Sequence, residues 1–83
     1  MEVLFTEHAT EKLRILRAHG VKVTRKSVEE AVLEPERTVT ALGGRQIAER
    51  SLDKEHILRV VFVTDGRLIR VVTLYPAKKG RYP

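Results

Sequence analysis

The chain has 83 residues, 42% apolar and 33% charged, with a formal net charge of +5 and no cysteine. That length holds one small domain, and the apolar share supports a folded core and excludes a disordered chain. The missing cysteine excludes a disulfide framework and thiolate metal sites.

Val3-Leu4-Phe5 reads as a short edge strand. Thr6 follows as a helix N-cap, with Glu7 in the first turn where the macrodipole favours an acid. Phe5, Ala9, Leu13 and Leu16 recur at helical spacing and define a core-facing stripe, and Gly20 ends the helix as a C′ residue. A second helix starts at Thr24 or at Ser27. Ser27 with Glu30 fits a capping box, whereas a cap at Thr24 sets Arg25 and Lys26 against the dipole. Val28, Ala31 and Val32 form its apolar face, and Pro35 stops it near Leu33. Glu29, Glu30, Glu34 and Glu36 read as its solvated face and end.

From Arg37 the period becomes strand-like. Arg37 to Leu42 is one strand, Gly43-Gly44 a hairpin turn, and Arg45 to Leu52 the return. Asp53 to His56 is a polar connector. Ile57 to Thr64 is the strongest strand signal, Asp65-Gly66 signals a tight hairpin, and Arg67 to Tyr75 is the partner. The expected fold is α+β in the order β-α-α-β-β-β-β, with two N-terminal helices packed on one face of a mostly antiparallel sheet. A single domain covers residues 1–83, and 76–83 form a basic C-terminal tail.

A two-residue loop at Asp65-Gly66 sets Thr64 opposite Arg67. Leu58, Val60, Phe62, Ile69, Val71 and Thr73 then share the face that seats the helices. Arg59, Val61, Val63, Leu68, Arg70, Val72 and Leu74 share the other. Arg70 opposes Val61 and Arg59 opposes Val72, which makes the two arginines diagonal neighbours. So small a domain has too few elements to cover both faces, so this second one is expected to meet a partner or line a cleft.

The charge is lopsided. Up to Asp65 eleven bases balance eleven acids; beyond it stand five bases, Arg67, Arg70, Lys78, Lys79 and Arg81, and no acid. An excess confined to one end suits a surface that meets a polyanion or an acidic partner. Arg59 and Arg70 have the forks to clamp a phosphate. The plainer alternative is that they pair with Glu49, Glu55 or another acid at the sheet rim. The lysines, Arg81, Tyr75 and Tyr82 suit phosphate contact and base stacking, or form a solvated tail. His8 falls in the first turn of helix one, where the positive dipole end favours a neutral ring that can take a proton from a 2′-hydroxyl. Its alternative role is packing at the strand–helix junction.

His19 and His56 read as surface residues. The three histidines lack ligand spacing, so no metal site is expected, and there is no Gly-rich phosphate loop. No apolar run approaches the roughly 20 residues of a membrane span and no secretory signal is visible, so a cytoplasmic protein is expected. The lack of asparagine and cysteine, one glutamine and the high charge lean toward a thermophilic source.

Several stretches together resemble a known family. They are Phe5-Thr6-x-His8-Ala9, His19-Gly20-Val21, Val28-x-x-Ala31-Val32, Glu34-Pro35-Glu36, Ile57-Leu58-Arg59-Val60-Val61 and Val72-Thr73-Leu74-Tyr75-Pro76. The chain is similar, over nearly its whole length, to short prokaryotic domains of uncharacterised role grouped with the RelE/ParE-like toxins. The resemblance implies a toxin-like protein with an acidic antitoxin covering its sheet face. In the RelE branch it implies metal-independent endoribonuclease activity on mRNA, commonly at the ribosome, by attack of the 2′-hydroxyl on the adjacent phosphate. By position, Arg59, Arg70, Arg81 and Tyr82 fall where that branch carries its working groups. No carboxylate matches a general base, and the ParE branch poisons gyrase instead, so the superfamily alone fixes no reaction.

Three expectations follow. The first is a toxin-type ribonuclease needing no cofactor. Arg59 and Arg70 hold the scissile phosphate, Arg81 adds charge, Tyr82 orients a base and His8 is acid or base. Arg67, Tyr75, Lys78 and Lys79 bind the strand. The second is a non-catalytic module that docks RNA or an acidic protein on the same face. The third is a degenerate toxin whose sheet face makes a homodimer.

Overall fold

The computed structural model describes residues 1–80. Arg81 and Tyr82, both expected site residues, lie outside them. Strand β1 (Glu2–Phe5) leads into helices α1 (Glu7–Ala18) and α2 (Arg25–Leu33), followed by β2 (Arg37–Thr40), β3 (Gln46–Ser51), β4 (His56–Asp65) and β5 (Leu68–Lys78). The sheet order is β1-β5-β4-β3-β2, with β1 parallel to β5 and every other pair antiparallel. This is the expected α+β order.

Local signals set both helices. The Thr6 hydroxyl accepts from the Ala9 N–H and caps α1. At the other end Gly20 adopts φ 84°, with Gly20 N–H bonded to Arg17 O and Val21 N–H to Leu16 O. That pair of bonds is a Schellman closure, which needs the left-handed residue glycine supplies. Helix α2 starts at Thr24, not Ser27. Ser27 is the N3 partner in a Thr24–Ser27 capping box, so the Ser27–Glu30 box does not form. Arg25 is tolerated against the dipole because it lies 4.3 Å from the Phe5 ring centroid and 3.9 Å from Glu29.

One core fills the space between the helices and the sheet. Ala9, Val28, Ala31 and Val32 come from the helices, and Val3, Ala48, Leu58, Val60, Phe62, Ile69, Val71 and Leu74 from the sheet. Of the acidic stretch, Glu30 lies 4.0 Å from Arg50 and Glu36 accepts from the N–H and hydroxyl of Ser51, which ties the α2–β2 connection to β3.

The strand ends and the register differ from expectation. β2 stops at Thr40, and Leu42–Gly44 form a short 3₁₀ turn in which Leu42 is 94% exposed. β5 continues through Pro76, Ala77 and Lys78, so the basic tail does not begin at 76. β1 pairs only Leu68 to Val71, so among the described residues no strand pairs with the outer edge of β5 at Pro76, where a missing N–H breaks no ladder. The β4–β5 loop is Gly66-Arg67, because Asp65 pairs with Leu68. Of the two loop residues Gly66 has positive φ, 62°, and Arg67 does not, as a two-residue loop with glycine first requires.

Beyond the turn β5 carries a bulge at Val72: Phe62 pairs with Val71, and Val61 with Thr73. Leu74 thereby enters the core and Thr73 leaves it, the reverse of their expected faces. Thr6 anchors the bulge, its N–H donating to Val71 O and its hydroxyl to Val72 O at 3.1 Å. Replacing Thr6 with Ala removes the α1 cap and the bulge contact together. The expected loss is about 2 kcal/mol in urea denaturation, against about 0.5 kcal/mol for Thr10→Ala in the same helix.

Candidate functional site: the sheet face opposite the helices

Alternation from the core residues assigns the other face: Leu4 on β1; Leu68, Arg70, Thr73, Tyr75 and Ala77 on β5; Ile57, Arg59, Val61 and Val63 on β4; Ile47 and Glu49 on β3; Arg37 and Val39 on β2. Val61 and Ala77 are buried yet stand apart from the core cluster, consistent with this side. The core residues of the helices, Ala9, Val28, Ala31 and Val32, lie on the other side, and α1 reaches this face through His8.

Arg59 and Arg70 share the face but are not neighbours. Arg70 pairs with Val63, four residues along β4 from Arg59 and about 13 Å away. The expected register missed this by assigning the loop one residue too early. Their Cα atoms are therefore farther apart than the diagonal neighbours the expected register made them.

Arg59 is also engaged. It is 6% exposed, its Nη1 donates to Glu49 Oε2, and its Nε donates to the Tyr75 hydroxyl at 3.1 Å. Its guanidinium lies 5.8 Å from the Tyr75 ring centroid. Glu49 is equally buried and has Arg37 at 3.7 Å on its other oxygen. Cross-strand register makes this row, since Glu49 opposes both Arg59 and Arg37. The pairing with Glu49 was the plainer of the two sequence readings. The arrangement braces a carboxylate between two guanidinium groups on a sheet, and its central cation is already neutralised.

The bulge builds a second row along β5: Arg70, Thr73, Tyr75. Each step is about 7 Å, and Thr73 stands midway. His8 joins it from α1, its Nε2 3.2 Å from the Thr73 hydroxyl. His8 and Arg70 are exposed, and Tyr75 is half-buried. The structure therefore brings His8, Arg70, Tyr75 and Arg59 to one face. Arg67 sits on the distant turn, and Lys78 and Lys79 are exposed at the opposite end of β5. No group of three or more histidine, cysteine or carboxylate residues suited to a metal occurs among the described residues.

Sequence reading missed one further cluster. His19 and His56 do not stand alone: both line a cleft at the far end of the sheet, with Lys22, Asp53 and Pro76. The Asp53-x-x-His56 spacing was its one local signal, because Asp53 Oδ1 accepts from the N–H groups of Glu55 and His56 and from His56 Nδ1.

No family model matches the chain, and no curated protein or solved structure matches it. No helix among the described residues is long and apolar enough to cross a membrane.

Proposed function

We propose that this chain is an RNA-binding module that works through the sheet face opposite its helices. One observation carries the reading: Arg70, the His8–Thr73 pair and Tyr75 form a row on the face opposite the core. An exposed guanidinium suits a phosphate, and a tyrosine ring on a sheet suits a base. The whole +5 excess of the chain lies beyond Asp65, on β5, its turn and the residues after it. Arg59 serves the face from beneath, fixing the Tyr75 hydroxyl while neutralised by Glu49.

Binding of a labelled single-stranded RNA, followed by fluorescence anisotropy across a salt series, tests this. Affinity is expected to fall steeply with salt, and Arg70→Ala to reduce the logarithmic salt slope by about one. Undetectable binding at low salt, or an Arg70→Ala variant identical to the parent, overturns the proposal.

A catalytic reading has one observation in its favour. His8 Nε2 stands at a hydroxyl midway between Arg70 and Tyr75, where an imidazole could take a 2′-hydroxyl proton. In that version the protein is a toxin-type, metal-independent endoribonuclease acting on mRNA in the cytoplasm, and an acidic antitoxin competes for the same face. Cleavage assays with and without ribosomes separate the two readings: turnover abolished by His8→Ala selects the enzyme, and binding without turnover selects the module.

A further inference from the structure

Four stretches converge at the end of the sheet remote from the Gly66-Arg67 turn. The α1–α2 connection brings His19, Gly20, Val21 and Lys22, the β3–β4 connection Leu52 and Asp53, β4 His56, and β5 Pro76. They enclose a cleft of about 400 Å³, within the range of small-molecule sites. It opens on the helix side, since Pro76 pairs with the core residue Leu58.

The hydrogen bonds fix the chemistry of the two imidazoles. His19 Nδ1 lies 2.8 Å from Ile15 O, an atom that only accepts, so Nδ1 carries the proton. His56 Nδ1 lies 3.0 Å from the Asp53 carboxylate, so it too is the protonated nitrogen. Each ring has Nε2 left for the cleft. Asp53 is spent on its own turn: the Glu55 N–H first, then His56, hold its carboxyl below the usual carboxylate range. The carboxylate remains an anion in the cleft lining, offset there by lysine charge. Lys22 adds a full cation, and Lys78, the cross-strand partner of His56, another beside it. Val21, Leu52 and Pro76 supply apolar wall.

We propose that this cleft binds a phosphomonoester carrying a small apolar or planar body. Lys22 Nζ donates to the phosphate oxygens, and the P–OH of the ester donates to Nε2 of His19 or His56, the accepting nitrogen of an Nδ1–H imidazole, while the body lies against Val21, Leu52 and Pro76. The same headgroup occurs on free metabolites and on the 5′ end of an RNA strand. The site is separate from the sheet face, and either can fail without the other.

Isothermal titration with phenyl phosphate tests it. One saturable site is expected. His19→Ala and Lys22→Ala, both at exposed side chains, should each weaken binding about tenfold. Arg14→Ala removes an equal charge from the exposed Arg14–Glu11 pair on α1 and should change nothing. Titration of the same RNA trinucleotide with a 5′-phosphate or a 5′-hydroxyl then names the source: preference for the phosphorylated form marks an RNA end, and phenyl phosphate binding alone marks a free metabolite. No saturable site, or equal losses in Arg14→Ala and His19→Ala, overturns the proposal.

Discussion

Arg59→Met should cost about 3 kcal/mol of folding stability and lower the melting temperature by more than about 10 °C. The cost comes from Glu49, which would stay 5% exposed with a half-exposed Arg37 at 3.7 Å as its remaining cationic neighbour among the described residues. Removing one partner of a buried pair costs several times what the intact pair contributes. Replacing both with apolar groups of similar volume is often neutral. The double variant Arg59→Met with Glu49→Leu should therefore recover most of the loss. Thermal melts of the parent, both single variants and the double variant complete a thermodynamic cycle. If Arg59 is instead a phosphate clamp held for function, Arg59→Met will melt near the parent and lose only RNA affinity. That result would remove the bracing role assigned to it.

The bulge at Val72 makes the second large prediction. Leu74 is fully buried, and Leu74→Ala should lose about 3 kcal/mol through lost apolar burial and the cavity left behind. Thr73→Ala, one residue away, should lose less than about 1 kcal/mol, because its side chain has left the core and meets an exposed histidine. A hairpin without the bulge predicts the opposite order. Urea denaturation of the two variants decides it, and a costlier Thr73→Ala would mean that the register is wrong.

Most of the fold was legible because most of its signals are local. Thr6, the glycine after His19, and the Val28-Ala31-Val32 face each act within a few residues, and each does what its spacing implies. The register was not legible, for two reasons. The loop falls at Gly66-Arg67, one residue later than the Asp-Gly signal suggested, since glycine can take the first loop position as well as the second. The bulge then depends on the Thr6 hydroxyl reaching a carbonyl 66 residues along the chain. No window of sequence around Val72 contains that information. Pro76 likewise falls in the expected tail, and β5 runs through it where β1 no longer pairs.

The candidate site was legible in membership more than in geometry. Parity kept Arg59 and Arg70 on one face through the register error, because the pairing near the turn moved by an even number of positions. Their separation, the neutralisation of Arg59 and the insertion of Thr73 between Arg70 and Tyr75 all required the true pairing. The His19–His56 cleft needed four distant stretches at once, beyond what residue spacing encodes.

The parallel pairing of β1 with β5 sets a timetable for synthesis. β1 lies beside β5, which is made after every other strand described, and Thr6 closes on Val71 and Val72. While the chain is still emerging from the ribosome, β1 has no strand to join and α1 lacks the β5 surface on which it packs. The β3–β4 ladder can form earlier, but its β5 edge stays open until translation has passed residue 78. Contacts of such separation also slow folding, because the loop entropy is lost before the contact repays it. Nascent chains stalled before residue 68 should therefore be protease-sensitive throughout α1, and chains extended well past residue 78 should be protected.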